Sequence, residues 1–574
     1  MIQRPSRVAA LSFLLICGSS LVGGWLGGRA AAGGSRLQDS LRTYTSILAV
    51  IEDQYVDEVK PEKIVAASIR EMLRTLDPHS NFLDTKDYSS LQERQKGSYY
   101  GLGITVSAVD GNITVVSPFE GTPAHRLGIR AGDIISRIED EDARGMGIDD
   151  AVKRLRGPRG SSVRVTIVRQ GYDAPLEFTV IRDEIPLHSV PYYFMLPDKK
   201  TGYLRHTDFN ETTACRVGEG KGCEKELEKA LKALKAQGAT SVVMDIRDNP
   251  GGLLEQAFAV SNLFLKKGQI VVFTRGRSKR DEMNYITEGD SPYADIPLVI
   301  LTSKHSASAS EIVAGAVQDH DRGLIVGERT FGKGLVQTIM PLRNVRGYAL
   351  ALTTARYYTP SGRLIQRDYA TTALEDYHSP RERKTCEEGQ GEAKLTDAGR
   401  KVYGGDGITP DYCVDPETPA KVVSYLVSRQ AFVNFSHNFA SPNTTGGAQE
   451  IAGTGRRPGV VSNKIRVLEP DFQVDDRMWG EFRAFLGQQK LRFTEEDLTT
   501  HREEISRHMV EEILRQVFGE REARRRSAQW DPQIRKAIEV APKASVLLKD
   551  PKKFIAERQA EGRMASSSPA VHHQ

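Results

Sequence analysis

Five cysteines in 574 residues, spaced unlike any zinc site, remove the commonest structural metal from consideration. A phosphate-cradling glycine loop and a nucleotide-binding motif are missing too. No metal and no cofactor are therefore expected, and any chemistry has to come from side chains. Charge of one sign is also lacking. The 79 Lys and Arg residues against 75 Asp and Glu leave a net +4, which gives no case for nucleic acid as a partner. At this length several domains are expected.

What is present begins with a 19-residue apolar stretch, Val8 to Leu26, preceded by Arg4 and Arg7 and followed by Ala30-Ala31-Ala32. It reads as an export signal with a cleavage site, or as an uncleaved anchor just long enough to span a membrane. Its glycines and serines leave that choice open. Ile16 stands before Cys17, where a lipoprotein signal wants a small residue, so lipidation is not expected. Residues 1–35 are set aside on this reading, and the rest is expected outside the cytoplasm, in the periplasm or cell envelope, soluble or anchored.

In an oxidising compartment Cys215, Cys223, Cys386 and Cys413 form an even set. Cys215 with Cys223 would close a short loop in what reads as an insertion, and Cys386 with Cys413 a second. Three connectivities are open, with four free thiols as the alternative.

The most informative stretch is Ser306-Ala307-Ser308-Ala309-Ser310-Glu311-Ile312, followed 25 positions after Ser308 by Lys333 in Phe331-Gly332-Lys333-Gly334. A hydroxyl is a poor nucleophile at neutral pH unless a neighbour takes its proton, and a neutral amine can do so. Small alanines leave room for a substrate backbone and place the hydroxyl near free N–H groups at a helix start. Such a run also serves tight packing of a helix, so its context decides. Upstream, the apolar run from Ser241 reaches Asp245-Ile246-Arg247 and breaks at Asn249-Pro250-Gly251-Gly252, turn chemistry that can expose successive N–H groups. The N–H groups of Ala309 and Gly252 are the candidate oxyanion hole. As an ordinary turn, the same residues would pair Asp245 with Arg247 for structure. Lysine titrates near 10.4 in water, so a base must be brought to about 7 or 8, at a cost of about 4 kcal/mol against the charged form. Burial without a carboxylate partner does this, and Gln337 can orient the amine without restoring its charge. A histidine base would have to be His305 or His320, but no Gly-x-Ser-x-Gly elbow surrounds these serines, and both histidines read as surface residues.

In order and spacing these motifs resemble the carboxyl-terminal processing, or tail-specific, proteases. The family's DLRxNPGG turn corresponds to Asp245 to Gly252 with Ile246 for the usual leucine, its SASASE run contains Ser308, and its lysine and glutamine match Lys333 and Gln337. YYTPSGRLIQ at Tyr357 to Gln366 and GITPD at Gly407 to Asp411 are similar to further signatures. The resemblance covers roughly Leu37 to Val414. It implies a serine endopeptidase with Ser308 as nucleophile, Lys333 as base and Gln337 positioning it, working without ATP on a crotonase-like α/β core.

Residues 97–185 carry short alternating strands separated by Gly and Asp turns. They resemble a PDZ domain, with Gly101-Leu102-Gly103-Ile104 as the carboxylate-binding loop and LGIRAGDII from Leu127 to Ile135. This implies capture of protein C termini by added-strand pairing, with an apolar pocket for the last side chain. The expected partners are proteins with unstructured apolar C-terminal tails. A module that only packs or dimerises, an idle PDZ scaffold and an acyl-CoA enzyme on the same fold are the rival readings.

The fold expected is thus a multidomain α/β chain. A helical segment occupies 36–96, the PDZ domain 97–185, and the protease core 186–415 with a polar insertion at 371–405. A linker follows at 416–470, and then a helical extension at 471–574, patterned by Met478, Phe482, Phe485, Leu486, Ile505, Met509, Ile513, Leu514 and Val517. That extension reads as a docking surface for an adaptor or for self-association.

Overall fold

The computed structural model describes residues 37–567, apart from 110, 170, 171, 217, 221, 290, 344, 373, 379–390, 441–449, 452–466 and 490. The Val8 to Leu26 segment, Cys17 and Cys386 lie outside the described residues, so neither the export signal nor the pairing of Cys386 with Cys413 is described. Among the described residues no helix is long and apolar enough to cross a membrane. The chain divides into two compact units, residues 1–82 and 83–574.

In the first unit, α1 (37–54) is followed by α2 (Pro61–Arg74), which begins with the proline that a first turn tolerates. Asp77 then accepts the N–H groups of His79 and Ser80 and the Ser80 hydroxyl, fixing the turn read from Asp77-Pro78-His79-Ser80.

The second unit opens with α3 (Thr85–Lys96), capped by Asp84 at its start and by left-handed Gly97 at its end. The short strand β1 (Ser98–Gly101) leads into an antiparallel sheet of β2 (Ile104–Val109), β3 (Asn112–Pro118), β4 (Ile134–Ile138), β5 (Ser162–Val168) and β6 (Leu176–Ile181). Each contains a segment whose alternation predicts a strand. The helix α4 (Ile148–Leu155) lies beside β2, and Ile113, Val115, Ile135, Ile167 and Val180 form the module's core. β7 (Asp183–Pro186) returns to pair with β1, so the module's entry and exit are one antiparallel ribbon.

The core is a six-stranded sheet ordered β8 (Tyr193–Met195), β9 (Thr201–Arg205), β10 (Ser241–Asp245), β13 (Leu298–Thr302), β14 (Leu324–Gly327) and β19 (Tyr412–Cys413), parallel except for β8. Its central strands are buried on both faces, as parallel strands are. One face is covered by α5 (Glu226–Ala236), α6 (Leu254–Asn262) and α7 (Ala309–Asp319). A second, antiparallel sheet contains β11 (Ile270–Gly276), β12 (Met283–Ile286), β15 (Leu335–Pro341) and β16 (Ala349–Tyr358). Cys215 and Cys223 are joined by a disulfide closing the loop before α5.

Two boundaries differ from the sequence expectation. Residues read as linker include helices α8 (Lys421–Ser428) and α9 (Ala431–Ala440), whose Val423, Leu426, Phe432, Phe435 and Phe439 join one core with α10 (Asp476–Gln488), α11 (Glu495–Thr500) and α12 (Arg502–Phe518). The helical spacing of those phenylalanines was masked by the polar Gly/Thr/Ser run that follows. The extension is also not wholly an appendage. After α13 (Glu520–Ser527), helix α14 (Pro532–Lys549) lays Ile534, Ala537, Val540, Ala541, Ala544 and Leu547 on the second face of the central sheet, against Val243, Val299, Leu301 and Val326. The hairpin of β17 (Ala393–Leu395) and β18 (Lys401–Tyr403), in the stretch read as a polar insertion, is tied to the core by buried Arg400, which reaches Asp321, Asp411 and the Gln318 carbonyl.

Candidate active site

Because β10 and β13 are parallel neighbours, their carboxyl ends share one edge of the sheet, where open α/β folds place their sites. The turn after β10 and the run after β13 meet there. The Asn249 carbonyl accepts Ala307 N–H at 3.0 Å and Ser310 Oγ at 2.9 Å. Ser306 Oγ donates to the Ile246 carbonyl at 2.8 Å. Ser306 and Ser310 are fully buried fasteners. Ser308, between them, is half-buried, and its hydrogen bonds among the described residues are made by its backbone.

Ser308 sits at φ 56°, ψ −113°, immediately before α7. A left-handed non-glycine residue costs on the order of 1–3 kcal/mol, so its surroundings must hold it. Gly251, at φ 96°, packs so closely that a Cβ there would lie 2.8 Å from the Ala307 oxygen, the Ala309 nitrogen and the Ser308 Cβ. Gly251→Ala is expected to lower stability by at least about 1–3 kcal/mol, read as a fall in melting temperature. The Gly251 N–H is taken by Asn249 Oδ1 at 2.9 Å. Among the described residues no acceptor takes the N–H of Gly252 or of Ala309.

Lys333 lies in the loop between β14 and β15. Its Nζ donates to Gln337 Oε1 at 2.8 Å. Gln337 lies in a strand rather than a helix, at a register shift between Val336 and Gln337 where β15 pairs with β16. A bulge of this kind re-aims a side chain, here toward the lysine.

Sequence reasoning assigned no role to the residue that joins these parts. Glu311 is fully buried in the first turn of α7. One of its oxygens accepts the N–H of Ser308 at 2.8 Å and of Lys333 at 2.9 Å; the other accepts the N–H of Gly332 at 2.7 Å and the Thr330 hydroxyl at 2.6 Å. Burial pushes its carboxyl up to about 7, against the opposing pull of those donors. The signal was present: Ser308-x-x-Glu311 is the pattern of a capping box. Tyr357, also buried, donates to the carbonyls of Ser308, at 3.2 Å, and of Lys333. Ser308 and Lys333 are thus fixed to each other by a carboxylate on one side and a phenol on the other.

The histidines are elsewhere. His305 is exposed. His320 follows the last residue of α7, about 18 Å along the helix from Ser308 at 1.5 Å per residue. It is not a surface residue as its polar neighbours suggested, since its ring is held between Asp397 and the Ile270 carbonyl, both at 2.7 Å.

In the inserted module, Gly101 ends β1 and only Leu102 and Gly103 form the loop before Ile104. Among the described residues no acceptor takes the N–H of Leu102 or Gly103. Gly103 is left-handed, at φ 78°, and a Cβ there would meet Thr122 at 2.3 Å. Beside this loop a cavity of about 140 Å³ is lined by aliphatic Leu102, Ile104, Val106, Val152 and Leu155 and also by Tyr99, Gly103 and Arg156.

The model of Peptidase family S41 matches residues 200–373, that of the PDZ domain 114–169, and that of a probable PDZ-protease C-terminal helical domain 494–541. The last extends the likeness into the helices beyond Val414, where sequence motifs gave none. A carboxy-terminal-processing protease of Bartonella bacilliformis is 41% identical over 326 residues, covering 57% of this chain and 72% of its own. A carboxy-terminal processing protease of Bacillus subtilis is 33% identical over 362 residues, covering 63% and 72%. Among solved structures, a photosystem II D1 C-terminal processing protease is 26% identical, covering 66% of this chain and 88% of its own at a TM-score of 0.33.

Proposed function

The chain belongs to peptidase family S41, the carboxy-terminal processing serine proteases, and from that membership we propose that it binds the C-terminal tails of exported proteins and cleaves them with a Ser308–Lys333 dyad. The observation that carries this reading is the shared clamp: one buried carboxylate, Glu311, takes the backbone N–H of both Ser308 and Lys333. Ser308 Oγ attacks the scissile carbonyl as Lys333 Nζ takes its proton, and Gln337 holds the amine from its other side. The N–H groups of Gly252 and Ala309 receive the oxyanion at the start of α7, where the helix dipole adds its positive end. Lys333 returns the proton to the leaving amine, and the new C terminus remains as an ester on Ser308. Water then attacks the ester with Lys333 again as base, releasing the product and restoring the hydroxyl. No step uses a nucleotide or a metal. Such a core is a crotonase-type sheet-and-helix framework turned to acyl transfer.

The PDZ module supplies the tail preference. Its open loop N–H groups suit a terminal carboxylate, and the aliphatic cavity beside them suits a small or branched apolar last residue. The Cys215–Cys223 disulfide fits an oxidising compartment and supports export. Two tail peptides of one sequence, one ending in a carboxylate and one in an amide, test the module's role. The amide is expected to raise KM at least about tenfold, the worth of one charge-assisted hydrogen bond or more. Equal KM values for the two would remove carboxylate recognition from the proposal.

A further inference from the structure

Arg247, two residues before Asn249 in the active-site turn, is shared between two parts of the chain. Its Nε and Nη2 lie on the buried carboxylate of Asp245 at 2.6 to 3.1 Å. Its Nη1 donates to Asp531 Oδ2 and to Gln533 Oε1, both at 2.7 Å and both at the start of α14. Asp531 is doubly engaged, because its other oxygen caps α14 by accepting the N–H of Gln533 and Ile534. Gln533 is fully buried and doubly engaged as well, since its Nε2 donates to the Val414 carbonyl at 2.7 Å. The Val414 N–H in turn donates to the carbonyl of Gly327, the last residue of β14, from which the chain runs on to Lys333.

We infer that Asp531 and Gln533 are positioning residues for the peptidase site, so that the C-terminal helical domain completes a site whose reacting groups all lie more than 190 residues upstream. The inference rests on the assignment of Ser308 and Lys333. From α14 one path leads through Arg247 to Asn249, which holds the Gly251 N–H and, on either side of Ser308, the Ala307 N–H and the Ser310 hydroxyl. The other leads through Val414 and Gly327 to the lysine loop. Gln533 therefore spans the oxyanion side and the base side with one amide. Without it, Arg247 keeps a buried Nη1 hydrogen with no acceptor, and the shift of the guanidinium that relieves it pulls on the backbone of the turn. Displacements well below 1 Å matter for an oxyanion hole, because its donors act only when aimed at the transition-state oxygen.

The test compares the full chain with Asp531→Asn, Gln533→Met and Ser308→Ala on a fluorogenic tail peptide, with a peptide boronate as a tetrahedral mimic. Asp531→Asn keeps a helix cap and turns an NH2 in place of the acceptor oxygen toward Arg247 Nη1, so it decides the matter if Gln533→Met fails to fold. The expected result for either variant is a tenfold or larger fall in kcat with KM within twofold, and boronate affinity reduced by a similar factor. A merely structural role predicts altered melting with kcat and boronate affinity intact. A kcat within twofold of the parent in Asp531→Asn, beside an inactive Ser308→Ala, overturns the inference alone. A Ser308→Ala chain that still cuts overturns the assigned site and the inference with it.

Discussion

Ser308→Ala and Lys333→Ala are each expected to lower kcat/KM on a tail peptide by at least about 10³-fold, and the double variant no further, because groups acting as a unit are lost together. On the proposed mechanism, the alanine at 308 removes the atom that carries the ester. The alanine at 333 leaves the hydroxyl without a base, since Gln337 can accept a hydrogen bond but takes no proton. Lys333→Arg is expected to be as inactive as Lys333→Ala, because a guanidinium keeps its proton at any pH a protein survives. Fragment mass spectrometry reads all four. Full cleavage by Lys333→Ala would reinstate a histidine base, against the position of His320 at the far end of α7 and the exposure of His305.

Glu311→Ala is expected to be nearly as damaging although Glu311 touches no substrate. It strands the N–H groups of Ser308, Gly332 and Lys333, and an unsatisfied buried donor costs about 1–3 kcal/mol, so the segments rearrange and kcat/KM falls by about 10³-fold. Glu311→Gln offers one acceptor oxygen and turns an NH2 toward two of the same donors, so it is expected to rescue little. The pH dependence separates this residue from the dyad. With its carboxyl up to about 7 in the folded chain, against an ordinary value near 4.5, Glu311 binds its proton more tightly folded than unfolded. Its contribution to stability is therefore complete below about 4.5 and is lost as pH rises to about 7, on the order of 3 kcal/mol. Activity runs the other way. Only the ionised carboxylate has four acceptor positions for its four donors, so the clamp tightens as pH rises through about 7. The acid limb of kcat/KM is expected to show a step near pH 7 from Glu311; an acid limb without that step would exclude Glu311 from the titration.

The site was legible where chemistry is written locally. The serine run, the Asn249 to Gly252 turn and the Gly332-Lys333-Gly334 loop announce themselves by small residues and fixed spacing, because close approach of backbones tolerates little else. What joins them was not legible in the same way. Tyr357 is 49 positions from Ser308 and 24 from Lys333, and only the pairing of the second sheet brings its hydroxyl to both. Arg247 read as a structural partner of Asp245, which it is, but half of its guanidinium answers to Asp531 and Gln533. The apolar periodicity of the last hundred residues said that faces were buried and could not say against what. For α14 the answer is the central sheet, and an amphipathic pattern alone does not distinguish a neighbouring helix from a strand layer.

The place of α14 also bears on when a molecule of this enzyme can begin to cut. Strands β10, β13 and β14 wait with one face bare until residues near the end of the chain have been made and folded back. A polypeptide without α14 thus carries the serine, the lysine and the PDZ module while still lacking the layer behind the sheet. On the inference that α14 positions the peptidase site, full proteolytic competence is expected only once that layer is in place, which would restrain copies in which it has not yet docked.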